Sequence, residues 1–226
     1  MILKPKASYN YYEVGNFNFN DVASTLPKST YSTLASDFEF SILRRTAVQN
    51  LAPRLGLSLN AMHVTNISQG NDSKFNSELK LYLPGLSKNH SLRIRTGYQK
   101  ELLSNAFQLT DDFVYTRGFE TPINDEYISF SAEYALPIAY PDKGLWGMTY
   151  FKRVKANIFY DYGQGKFNSL TQTQDYQSLG LEIIFDNTIL NLLPMSFGLR
   201  GSYLLTEDPQ NTSNTFVPSF YIATTL

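Results

Sequence analysis

Tyr127-Ile128-Ser129-Phe130-Ser131-Ala132-Glu133-Tyr134-Ala135-Leu136-Pro137 alternates without a break: Ile128, Phe130, Ala132, Tyr134 and Leu136 fall on one side of an extended chain, and Ser129, Ser131 and Glu133 on the other. Period two with an apolar and a polar side is the signature of a strand. The stretch 175–186 repeats it, with Leu179, Leu181, Ile183 and Phe185 opposite Ser178, Gly180, Glu182 and Asp186. So do 195–205, with Phe197, Leu199 and Tyr203 opposite Ser196, Gly198, Arg200 and Ser202, and 55–64, with Leu55, Leu57, Leu59 and Ala61 opposite Gly56, Ser58 and Asn60. Weaker alternation at about 5–13, 33–44, 74–83, 91–101, 148–162 and 216–226 brings the count to roughly ten strands, while helical spacing of apolar residues hardly occurs. The expected fold is all-β.

Each candidate strand is near the 9–11 residues that a tilted strand needs to cross a bilayer, and no run of 18 apolar residues exists to make a spanning helix. Tyr and Phe number 16 each against one Trp. Mean hydropathy is only -0.26. That mixture is expected when lipid-facing apolar residues alternate with wet, lumen-facing polar ones. The connections alternate in length, with 102–126 the longest. Brief periplasmic turns and longer outside loops have this asymmetry, which puts the C-terminus on the periplasmic side. The reading is therefore an antiparallel transmembrane β-barrel in one domain, 1–226, with the lipid bilayer of a Gram-negative-type outer membrane as its partner. The competing reading is a soluble β-sandwich, whose strands average only about 5–6 residues and pack one face on a second sheet.

Other signals bound the chemistry. Cys is absent, which removes disulfides and thiol sites. With 19 basic and 20 acidic residues mixed along the chain there is no basic field for nucleic acid. His63 and His90 have no metal-ligand spacing around them. Asp111-Asp112 lacks the spaced acidic-plus-Gly pattern of a calcium loop, and the Asn-x-Ser sequons at Asn66, Asn71, Asn89 and Asn211 are given no role. No catalytic residue, cofactor or metal is expected. Met1-Ile2-Leu3-Lys4-Pro5-Lys6 lacks the apolar region and cleavage site of a secretory signal, so a mature or excised sequence is expected.

The stretch Val114-Tyr115-Thr116-Arg117-Gly118-Phe119-Glu120 stands inside the longest connection, directly before the best strand. Arg-Gly-Phe in a long loop, then Ser131-Ala132-Glu133-Tyr134, then Phe159-Tyr160-Asp161-Tyr162-Gly163 and Ser178-x-Gly180-x-Glu182, resembles the barrel end of the BamA and two-partner-secretion superfamily, also called bacterial surface antigens. The resemblance covers about half the chain. Upstream, Ala52-Pro53-Arg54-Leu55-Gly56 and Leu81 through Leu92 are similar to segments of proteins that join a TolB-like propeller to such a barrel. The resemblance implies a barrel of roughly sixteen strands, of which this chain would be about the last ten. Other envelope proteins or the missing N-terminal strands would complete it. A closed ten-stranded barrel is the fallback, since an even number can close.

The resemblance also implies a function, assisting insertion or translocation of other polypeptides through a loop-plugged lumen. The alternative is a non-transporting barrel that anchors a propeller or a surface complex. A barrel enzyme is a third reading, disfavoured because no His stands near a Ser or Asp at a loop rim. The loop-lock residues are Arg117, Gly118, Phe119, Glu133, Asp161 and Glu182. An arginine folded into a lumen needs a carboxylate, because an unpaired guanidinium away from bulk water is costly. Alternation places Glu133, Asp161 and Glu182 on inward faces, Asp161 beside Lys155 and Asn157. One departure from the pattern is the final Leu226, where such barrels carry an aromatic residue.

Overall fold

The computed structural model describes residues 1–14, 29–44, 51–68, 72–102, 113–120, 124–167, 172–190, 192–208 and 215–224. The described residues form eleven strands: β1 (Ile2–Val14), β2 (Ser29–Leu43), β3 (Gly56–Asn66), β4 (Ser73–Pro84), β5 (Ser91–Leu102), β6 (Glu126–Ala139), β7 (Lys143–Leu145), β8 (Thr149–Phe167), β9 (Gln172–Ile189), β10 (Leu193–Leu204) and β11 (Phe216–Thr224). They form one antiparallel sheet in which chain neighbours are sheet neighbours, with β7 pairing β8 beside the end of β6. β1 and β11 end the path, and no pairing joins them among the described residues.

Two details depart from the sequence reading. The connection 138–147 contains a strand of its own, so the count is eleven and not ten. β6 pairs β8 up to Ala139 opposite Val154, with a register shift after Pro137, and β7 resumes the ladder at Lys143 opposite Phe151. Pro141, which has no N–H to donate, and Asp142 at φ 47° interrupt the two. The stretch 163–174 is likewise mostly strand and not loop, because β8 runs to Phe167 and β9 starts at Gln172. There Gln164 lies opposite Asp175 and donates to it at 2.8 Å. With polar side chains on both faces, the ladder continues after the apolar alternation has stopped.

Register lines the faces up across the sheet. On the polar face, Arg93, Glu133, Phe159, Gly180 and Ser202 form one row, and Arg95, Ser131, Asp161, Ser178 and Leu204 the next. On the other face, Leu136, Ala156, Ile183, Leu199 and Phe220 form a row, and Phe197 stacks on Phe220 at 6.5 Å between centroids. Burial is inverted relative to a water-soluble sheet. Ile128, Ile158, Leu179, Leu181, Leu199 and Phe220 are exposed, whereas Ser131, Glu133, Asn157, Asp161, Ser178, Glu182 and Ser202 are buried. The cover over these polar groups is the segment 113–120.

Candidate functional site: a clamped segment on the polar face

Residues 113–120 cross the polar face from β5 to β10. Phe113 lies against Gly97 of β5, its Cζ 2.7 Å from where a Cβ would stand. The Tyr115 hydroxyl accepts from Gln99 Nε2 at 3.0 Å. Thr116 Oγ1 and the Tyr127 hydroxyl, both buried, share a hydrogen bond of 2.9 Å directly over Gly163, where any side chain would collide with both. Gly118 adopts φ 92°, a region that L side chains avoid, and a Cβ there would stand 2.7 Å from Ser202 Cβ of β10. Phe119 meets Tyr176 edge-to-face at 5.2 Å, and Phe113, Tyr115 and Tyr127 pack in the same way at 5.0–5.8 Å.

Arg117 is the centre of the site, with 9% of its side chain exposed. Its Nε and Nη2 donate to Asp161 Oδ2 at 2.6 Å and Oδ1 at 2.7 Å, a bidentate charge-assisted pair, and its backbone N–H donates to Oδ2 at 3.2 Å. Nη2 also lies 2.8 Å from Glu133 Oε1 and donates to Ser131 Oγ at 3.0 Å, while Nη1 reaches Glu182 Oε1 at 3.3 Å. The guanidinium carbon sits 3.7 Å from the centroid of the Phe159 ring, a cation–π contact. The four charged residues named from the sequence, Arg117, Glu133, Asp161 and Glu182, are thus brought together, with Gly118 and Phe119 in the adjoining turn of chain.

Two further arginines belong to the site that the sequence reading did not include. Arg93 of β5 donates through Nε to Glu133 Oε2 at 2.7 Å and through Nη2 to the same oxygen. Arg200 of β10 donates through Nε to Glu182 Oε1 at 2.6 Å. Asn157 Nδ2 donates to Glu182 Oε2 at 2.9 Å and Ser131 Oγ to Asp161 Oδ1 at 2.5 Å. Arg93, Glu133, Arg117, Glu182 and Arg200 therefore alternate in sign across the face, and Asp161 makes the three positive and three negative groups balance. Buried ions persist only when paired in this way. Alternation alone puts Asn157 and Arg200 on this face; which carboxylate each meets depends on register.

Beside the network a cavity of about 570 Å³ is lined by Arg93, Arg95, Arg117, Glu182, Arg200 and Tyr221 among others. Side chains of β5 and of β11 thus border one space, so the sheet curls about its polar face. Among the described residues that line it there is no His. Among the described residues no group of three or more His, Asp or Glu is placed to hold a metal ion. His63 lies exposed on the apolar face, and His90 Nδ1 is 2.8 Å from the Tyr134 hydroxyl. Asp111, Asp112, Asn71, Asn211 and Leu226 lie outside the described residues. The arrangement fastens one segment of chain to five strands, β5, β6, β8, β9 and β10. No family profile, curated protein or solved structure matches this chain.

Proposed function

We propose that this chain forms much of the wall of an outer-membrane β-barrel of the BamA-like kind. Residues 113–120 plug its lumen, and it assists the insertion or translocation of other polypeptides. The observation that carries the reading is the inverted burial. Large apolar side chains stand exposed on one face across the sheet, including Tyr9, Leu34, Leu79, Ile128, Ile158, Leu181, Leu199 and Phe220, while the opposite face buries a charge-balanced network. Soluble monomers rarely expose apolar patches beyond a few hundred Å².

The dimensions support it. Ile128 to Ile138 on β6 present apolar residues at every second position, and ten steps of about 3.3 Å on a strand tilted by about 40° cover about 25 Å, the height of the apolar band of such barrels. Towards the end from which the segment 113–120 comes, tyrosines mark a polar boundary. Tyr9 donates to Ser32 at 2.9 Å, Tyr98 to Glu126 at 2.7 Å and Tyr162 to Asp175 at 3.2 Å. Tyrosine at that level keeps its ring in lipid and its hydroxyl in a polar layer. Because an unpaired sheet edge is not tolerated in lipid, β1 and β11 are completed by further strands of this or another chain.

The test has two parts. The chain refolded with phosphatidylcholine vesicles is expected to float with them, and Leu181→Arg at mid-height is expected to cost about 2–4 kcal/mol of stability there. If that face is in water, the same change would cost no more than about 0.5 kcal/mol. Vesicles carrying the chain should then accelerate insertion of an unfolded barrel client, with Arg117→Ala slowing it. Insertion of the chain without any acceleration would leave the anchoring barrel as the better reading.

A further inference from the structure

At the end of the sheet opposite the clamped segment, two turns break the usual chemistry of turns. Between β7 and β8, Met148 N–H donates to Leu145 C=O at 3.0 Å, and the two central residues, Trp146 and Gly147, have φ 49° and 70°. Such a turn is ordinarily Asn-Gly or Asp-Gly, because both positions are left-handed. Here a tryptophan occupies the first, 88% exposed. In the neighbouring β9–β10 turn, Leu190 has φ 51° and donates its N–H to Met148 C=O at 2.8 Å, so the two turns are joined. Leu192 is 85% exposed, and Met148 and Leu190 are exposed as well. Two left-handed apolar residues at exposed tips are unfavourable twice over in water, once in backbone conformation and once in hydration.

We infer that these joined turns are an interfacial anchor, seated in the headgroup layer of the leaflet at this end of the barrel; the inference rests on the membrane reading above. The patch continues the apolar face, since Ile138 of β6 and Leu193 of β10 are exposed on that face and lead into the turns. Exposed Lys143 and Lys152 flank Trp146, placing ammonium groups where lipid phosphates lie. An indole, with an apolar body and one N–H donor, is the side chain best suited to that layer. Continuity with the lipid-facing surface and the flanking cations favour lipid over a protein partner.

Trp146 is the only tryptophan in the chain, so its fluorescence reports on this turn alone. In vesicles of phosphatidylcholine and phosphatidylglycerol, emission is expected to shift to the blue relative to the chain in urea. Acrylamide quenching should fall several-fold, and lipids brominated near the headgroup should quench more than lipids brominated at the chain ends. The variant Leu190→Asn with Leu192→Ser suits the left-handed turn, leaves the tryptophan in place, and is expected to slow vesicle insertion about tenfold. If the chain floats with vesicles but Trp146 stays as quenchable by acrylamide as in urea, or the double variant inserts at the original rate, the anchor is overturned while the barrel stands. If the chain does not float at all, the membrane reading falls and the anchor with it.

Discussion

Replacing Arg117 with Ala removes the one cation that Asp161 holds among the described residues. The other two carboxylates keep partners, Glu133 through Arg93 and Glu182 through Arg200, so the loss falls mainly on Asp161, which is left buried with Ser131 as its side-chain donor. Breaking one side of a buried ion pair costs about 3–5 kcal/mol, because the remaining charge stays in a poorly solvated place. Arg117→Ala should therefore lower the midpoint of urea unfolding, measured in phosphatidylcholine vesicles, by an amount equivalent to about 3–5 kcal/mol, and should open residues 113–120 to protease. Adding Asp161→Asn removes the stranded charge and should restore part of the loss, with a coupling of about 0.5–3 kcal/mol between the two sites. Raising salt from about 0.1 to about 1 M should leave the effect nearly unchanged, since screening acts on exposed charges. A loss below about 1 kcal/mol, the range of exposed pairs, together with no rescue by Asp161→Asn, would refute the reasoning.

Gly118→Ala should cost about 1–3 kcal/mol by urea unfolding, from its φ of 92° and the approach to Ser202 and Leu204; Ser202→Gly in that background should recover the part due to Ser202 and leave the backbone part. Tyr127→Phe and Thr116→Val should each cost about 0.5–1.5 kcal/mol and the double variant less than their sum, since both remove one buried hydrogen bond of 2.9 Å. Arg117→Lys keeps the charge without the two-pronged contact to Asp161 and should fall between wild type and Arg117→Ala in protease resistance of residues 113–120.

Much of this fold is legible in the sequence wherever one face is apolar and the other polar. Ile128 to Leu136 and Leu179 to Phe185 declare both strand and face. The ladder is harder to read where that contrast fades: beyond Tyr162, Gln164 and Lys166 face Asp175 and Thr173, and polar side chains on both sides give no period to detect. β7 escapes for another reason, since a three-residue strand set off from β6 by Pro141 and Asp142 is too short to show alternation. For the site, parity places Glu133, Asp161 and Glu182 on the face that an inserted arginine needs. The groove for residues 113–120 is less visible, because Gly97 and Gly163 each read as an ordinary strand glycine until the ring or hydroxyl above them is known.

The partners of the outer two arginines are hidden by a deeper ambiguity. Arg93 and Arg95 have the same parity, so alternation cannot say which of them faces Glu133. Register decides: Arg93 stands opposite Glu133, and Arg95 opposite Ser131. A slip of two residues between β5 and β6 would keep every apolar side chain on its face, and the hydrophobic pattern alone does not oppose it. The ion pairs do, because such a slip takes Arg93 away from Glu133, and a slip of β10 on β9 takes Arg200 away from Glu182 in the same way. The network thus has two separable jobs. Its ends, Arg93–Glu133 and Glu182–Arg200, join neighbouring strands and select register, while its centre, Arg117, holds the segment. Loss of Arg117 should free residues 113–120 and leave the strands paired as they are. Loss of Arg93 and Arg200 together should instead blur strand pairing while Arg117 still reaches Asp161, an outcome that cross-linking of cysteine pairs placed across β5–β6 and β9–β10 would read directly.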